Sequence, residues 1–328
     1  LKEGSSQPMV PAHGCSAFVA TGSYTRTSEI IMAHNEWWIY LIDGAANILV
    51  HLRPEAGHEL IMQVRPGFIS SGIDWLINSK GLIISSTAIT GMTTFKPDGV
   101  PYFVRLRKAT QYSDNIKDWV DSMLQGNNGG LANQYLLGDC KNGQIGMLEL
   151  GTFHHRFETT KDGFFVGSNL AYDDEVKKET IFDYRDPRTS PTARHSRWEQ
   201  LMTDHKGEID IEMAKAFMRD HVDASEGGKE KPSRCTLCGH LEDDPRGWPE
   251  WELGPYYPGG TLDGKITSGS LAAGMATWVK WGRPCGTDFI AEDFLKKHPE
   301  YGWQMPRLRD LKSYPWTLYL GSDFIQGT

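Results

Sequence analysis

No apolar run in this 328-residue chain approaches the roughly 20 residues that a membrane-spanning helix needs. The richest stretch, 39–50, is broken by Asp43 and Gly44, so no transmembrane segment is expected. Basic charge is also short: 34 Lys and Arg against 42 Asp and Glu leave a net charge of −8, which offers no footprint for a phosphate backbone and argues against nucleic acid as a partner. Leu1 to Ser6 lacks the basic, apolar and small-residue order of a secretory signal. Asn-x-Ser/Thr sequons, internal repeats and low-complexity tracts are absent. Cysteine is scarce: Cys15, Cys140, Cys235, Cys238 and Cys285 are too few and too unevenly spaced for a disulfide framework, and their odd number leaves one thiol to be explained.

What is present is a globular pattern, with 39% hydrophobic residues to build a core. Residues 1–14 hold Ser5, Ser6, Pro8, Pro11 and Gly14 with little hydrophobic order and read as a leader or propeptide remnant. From Cys15 onward, β-branched and apolar runs at 17–21, 30–33, 38–42, 48–52, 60–64 and 82–86 predict strands in succession, hence a largely antiparallel sheet. Ile116, Trp119, Val120, Met123 and Leu124 share one stripe of a helix over 114–125, with Ser113 or Asp114 as its cap. Strands are expected again at 134–137, 146–150 and 163–166, then a helix over 210–221 and sheet over 264–281. Residues 224–264, rich in Gly, Pro, Asp and Trp, predict a long irregular excursion or lid. The fold class is α+β, and because no clean linker divides the middle, 15–328 is expected to form one domain.

Cys15 opens the first predicted strand directly after a glycine. A cysteine there is ordinarily a small buried hydrophobe. If the Gly14–Cys15 bond is cut, however, the new α-amine, with a pKa of roughly 7.7 to 8.0, can accept the proton of its own thiol, and nucleophile and base share one residue. Glycine at 14 suits such a cut by tolerating a distorted backbone.

Gly14-Cys15-Ser16-Ala17, Ala33-His34-Asn35-Glu36-Trp37 and the run from Gly126 to Tyr135 occur in this order. Together they resemble the N-terminal nucleophile hydrolases, in particular the phospholipase B-like family and the related isopenicillin N acyltransferase-like and bile-salt-hydrolase-like enzymes. The resemblance implies a four-layer αββα sandwich with mostly antiparallel sheets and self-cleavage at Gly14–Cys15. It also implies attack by Cys15 on an amide or acyl ester of a small acylated molecule, through a thioester. Amide cleavage is the first expectation and phospholipase B-like ester hydrolysis the second; a family member that only binds is the non-catalytic alternative.

Further roles follow from the same resemblance. His34 is expected beside the thiol or amine, and Asn35 and Trp37 at the pocket wall, Trp37 in contact with substrate. Asn133 and Thr87 are the candidate oxyanion donors. Asn169 would support the amine, and Arg194, with Arg197 as its rival, would organise the charge. The acid that the bile-salt pattern places after the second strand is not matched, since Trp37 or Trp38 occupies that region, so the amine is expected to be held by other groups. Neither metal nor organic cofactor is needed. The lone C-x-x-C of Cys235 and Cys238 leaves three readings open: zinc, a disulfide to Cys285 in an oxidising compartment, or ordinary buried thiols. A secreted, periplasmic or lysosomal-type location is expected, and self-association is left open.

Overall fold

The computed structural model describes residues 14–45 and 47–323. The expected leader lies outside the described residues except for Gly14, which opens the first strand. In chain order the first strands are β1 (Gly14–Thr21), β2 (Ile31–Ile39), β3 (Ile48–Leu52), β4 (Leu60–Val64), β5 (Trp75–Asn78) and β6 (Leu82–Ala88). Helices α1 (Tyr102–Tyr112) and α2 (Ile116–Leu124) follow, then β7 (Asn133–Asp139), β8 (Gln144–Leu150), β9 (His155–Thr160) and β10 (Gly163–Gly167). Next come α3 (Asp174–Lys177), α4 (Ser190–Asp204), α5 (Ile211–Met218) and two short strands, β11 (Val222–Asp223) and β12 (Lys229–Glu230). The chain continues through β13 (Gly259–Thr261), β14 (Asp263–Ser268), α6 (Gly269–Ala273), β15 (Ala276–Trp281), α7 (Ala291–Lys297) and β16 (Thr317–Leu320).

Two seven-stranded sheets carry the fold. One runs β10-β1-β2-β14-β15-β16 with β13 added on β2, and the other runs β3 to β9 in sequence order. Pairing within both is antiparallel, as the succession of strands predicts. Three apolar layers separate four layers of structure. Phe18, Ala20, Ile31 and Ala33 of the first sheet pack on Trp198, Leu201 and Phe217 of α4 and α5. Ala17, Val19 and Met32 meet Trp75, Ile83, Leu136 and Met147 between the sheets. Met62, Ile84 and Tyr135 of the second sheet pack on Leu106, Trp119 and Met123 of α1 and α2. Because alternate residues of a strand face opposite ways, β1 is buried along its whole length, one face against helices and one against the other sheet. The architecture is therefore α+β and αββα.

Several boundaries differ from expectation. The strands expected at 30–33 and 38–42 are one strand, β2, followed by a 3-10 segment over 40–45. Three polar residues, His34, Asn35 and Glu36, interrupt its apolar pattern while its pairing with β1 continues through them; on the other side β14 pairs up to His34 and β13 takes over from Trp37. The cap of α2 is Asn115, whose Oδ1 accepts the Asp118 N–H at 3.0 Å, rather than Ser113 or Asp114. Residues 224–258 are irregular in backbone apart from β12 and two 3-10 turns, while β13 and β14 begin within 259–264; the segment is packed, with Leu241, Trp248 and Trp251 buried beside Trp37. None of the described helices is long and apolar enough to cross a membrane.

Candidate active site

The register of β1 against β2 sets the site. Cys15 lies opposite Glu36 and Ala17 opposite His34, so the side chains of Cys15, His34 and Glu36 share the face that looks at the second sheet. Asp74, just before β5, reaches in from that sheet. Cys15, His34, Glu36 and Asp74 each present an atom within 4.8 Å of those of the others, and all four are buried. The Cys15 sulfur lies 3.5 Å from Glu36 Oε2 and 3.6 Å from Asp74 Oδ2, so its one S–H proton has both carboxylates within reach. His34 Nε2 lies 3.1 Å from the Ser86 carbonyl.

The charge around the thiol is largely negative. Arg65 pairs with Glu36 Oε1 at 3.2 Å, and Lys265 with Asp263 at 2.9 Å while donating to the Ile73 carbonyl. Burial, then Glu36 and Asp74, push the Cys15 thiol well above its ordinary value, with Lys265 pulling the other way. Burial and Asp74 raise Glu36 to about 8, against Arg65 and Lys265. Two carboxylates beside one sulfur disfavour a resting thiolate; the same pair favours a cation, such as an ammonium on Cys15, and Glu36 is poised to exchange a proton near neutrality. The four donors resemble a metal-ligand set in type, but protein groups already meet both carboxylates: Arg65 for Glu36, and for Asp74 the Ser86 hydroxyl at 2.5 Å.

The backbone of Cys15 is held from the other side. Its N–H donates to Asn169 Oδ1 at 3.0 Å. Asn169 sits at φ +70, a left-handed conformation that asparagine tolerates better than most residues, and its Nδ2 is fixed on the Ala88 carbonyl at 2.8 Å. Arg194, on α4, donates to the Cys15 carbonyl, to Ser16 Oγ and to Asn169 Oδ1, while its guanidinium lies 4.4 Å from the centre of the Trp37 ring. Burial lowers Arg194 to about 10. The rival Arg197 pairs with Asp220 at 2.6 Å instead, so Arg194 is the arginine of this site.

Other expected residues are placed differently. Asn35 faces the helices, where Nδ2 donates to the Met218 and Leu237 carbonyls; it ties α5 and the following excursion to β2 rather than serving the thiol. Trp37 is on that face too and wholly buried against Trp248 and Arg194, so it supports the site from behind and meets no open pocket. Asn133 spends its amide on Ser86 Oγ at 3.4 Å and Tyr135 Oη at 3.2 Å, which links it to Asp74 through Ser86. Thr87 bonds Gln134 and accepts from the Asn169 N–H, so it sits one residue behind the group holding the Cys15 nitrogen. Gly14 occupies an ordinary strand position, and its need for glycine has another cause: a Cβ there would lie 2.4 Å from the Trp248 ring.

Glu36, Asp74, Arg65 and Lys265 were not anticipated. Glu36 was open to detection, because period-two alternation from His34 puts it on the same face. Asp74, on a distant turn at φ +59, had no signal.

A cleft of about 550 Å³ is lined by Trp38, Arg65, Phe68, Ile69, Tyr102 and Leu131, among others. Arg65 belongs to both the cleft and the Glu36 pair, so the cleft ends beside the thiol network. Phe68, Ile69 and Phe103 are exposed at its mouth. A larger cleft, of about 740 Å³ between α7 and residues 305–310, includes none of these groups.

A family model described as phospholipase B matches residues 3–171. Phospholipase B-like protein F of Dictyostelium discoideum is 25% identical over 122 residues, which cover 34% of this chain and 22% of that protein. The matched region thus spans about a fifth of the relative's length. Two crystal structures of conjugated bile acid hydrolase from Clostridium perfringens, a mutant and a variant, resemble the chain at 8% identity with TM-scores of 0.47 and 0.46. Those likenesses cover 81% of this chain and 88% and 89% of theirs.

Proposed function

The chain belongs to the phospholipase B family, and on that premise we propose that it is a self-processing hydrolase in which Cys15, released as an N-terminus, cleaves the amide bond of a small acylated molecule. One observation carries the reading: a single residue has its nitrogen on Asn169 and its sulfur between Glu36 and Asp74. In processing, a carboxylate takes the thiol proton and sulfur adds to the Gly14 carbonyl. The Gly14–Cys15 C–N bond then breaks as the nitrogen gains a proton, and water hydrolyses the thioester. The bond to Asn169 is one that a free amine keeps. In turnover the α-amine takes the thiol proton, sulfur attacks the substrate carbonyl, and the same proton goes to the leaving nitrogen; water then attacks the thioester, giving up a proton to the amine, which returns it to sulfur as the acid leaves. A site able to expel an amine from its own backbone has the proton inventory for amide substrates.

The cleft suits an acyl chain, with apolar walls and the Arg65 cation at its inner end. Its exposed aromatic and aliphatic mouth favours a second reading, hydrolysis of a lipid acyl ester by the same thioester route. A secreted, periplasmic or lysosomal-type setting accords with either. The test is acid-quenched intact mass of mature protein mixed with N-acyl amino acids, bile-salt conjugates, penicillins or phospholipids. An acyl-sized adduct on the Cys15 peptide, absent from Cys15→Ala, is expected with an amide substrate. An adduct with phospholipid alone selects the ester reading, and no adduct or released acyl group from any of them contradicts both.

A further inference from the structure

Away from Cys15, the fold gathers a second cluster whose chemistry the hydrolase leaves unused. His221 follows α5, Cys238 and His240 lie on the excursion, and Cys285 follows β15. Their ligand atoms all lie within 4.8 Å of one another. His221 Nε2 is 3.1 Å from His240 Nε2, and both the Cys238 and the Cys285 sulfur are 3.7 Å from His240 Nε2.

We propose that His221, Cys238, His240 and Cys285 form a tetrahedral zinc site that staples the excursion to the elements on either side of it. A tetrahedron with zinc–nitrogen bonds of about 2.0–2.1 Å and zinc–sulfur bonds of about 2.3 Å separates its donors by about 3.3–3.8 Å. The observed separations sit close to that range. Two thiols and two imidazoles are a donor set that selects zinc over magnesium or calcium, and four protein ligands make the site structural.

The surroundings support the same assignment. His240 Nδ1 lies 3.0 Å from Glu242 Oε1, which fixes that nitrogen as the donor and turns the lone pair of Nε2 towards the cluster. Glu242 is held in turn by Tyr40 Oη at 2.8 Å and by Arg283 at 2.7 Å. Two imidazole nitrogens and two sulfurs thus converge on one point and offer a single cation four soft or borderline donors. The pairing is not the C-x-x-C one: Cys235 turns away, its sulfur 3.7 Å from the Arg188 carbonyl. Between the two excursion ligands, Gly239 lies flat on Trp37, where a Cβ would be 2.4 Å from the ring. The staple thus bears on the tryptophan that backs Arg194.

The full chain, purified under reducing conditions without immobilised metal and dialysed after addition of zinc chloride, should retain about one zinc per chain by plasma mass spectrometry. Cys238→Ser and Cys285→Ser should lose it, and Cys235→Ser should keep it. Cobalt substituted into the wild-type chain should give sulfur-to-cobalt charge-transfer absorption and the intense visible bands of a tetrahedral ion, a readout that does not depend on any variant folding. Wild-type protein with reduced thiols and no retained metal, cobalt lacking thiolate bands, or a Cys238–Cys285 disulfide found by non-reducing peptide mapping would each overturn the proposal.

Discussion

In the proposed mechanism Glu36 is the residue on which the chemistry turns, because burial beside Asp74 lifts its carboxyl to about 8. As proton acceptor in self-cleavage it must be ionised, so the cleavage rate is expected to climb as pH rises through about 8. Glu36→Gln should remove that limb and slow cleavage by about a hundredfold, the scale of one general base. Time courses of intact mass across pH read both effects. Stability moves the other way. A carboxyl whose folded value is raised stabilises fully below its unfolded value and loses that contribution as pH rises through the folded one. Glu149, lifted to about 7 by burial, has the same sign. Chemical denaturation of uncut Cys15→Ala is therefore expected to show stability falling from about pH 5 to 8. The sequence made Cys15, Asn169 and Arg194 visible as candidates. It did not reveal that Asn35 and Trp37 face away from the sulfur, since that depends on which face of β2 each occupies.

At the scale of elements, apolar strands such as β1, β4 and β6 and the striped helix α2 were legible because their patterns repeat with a clear period. Helix α1 was not, because Arg105, Arg107 and Lys108 dilute its stripe, although Arg105 is buried by donating to the Val100 and Met123 carbonyls. The packing of the excursion was hidden for the opposite reason: its backbone has no period, yet its tryptophans are anchors. Trp248 packs on Trp37 and Trp251 and closes over Gly14. Trp248→Ala is expected to cost about 3–5 kcal/mol in urea denaturation, as for a large aromatic removed from a packed core. Phe153→Ala, at a residue 59% exposed, should change stability by less than about 0.5 kcal/mol.

For the whole molecule, two antiparallel sheets face each other with helices outside, and Trp75 crosses between them to bond Thr277 at 3.1 Å. Strand succession and helix placement made the α+β class readable and the family resemblance implied the αββα layering, but the convergence of Glu36, Asp74 and Lys265 depends on how the layers stack, which local pattern does not encode. The layering also sets the proposed nucleophile second in a buried strand, after Gly14, where its nitrogen meets Asn169 and its sulfur meets Asp74 beside the opposite sheet. The most direct measurement is the intact mass of freshly made wild-type and Cys15→Ala protein. The account predicts a wild-type chain that begins at Cys15 and a variant that retains every preceding residue; wild type and variant both keeping the leader would contradict it.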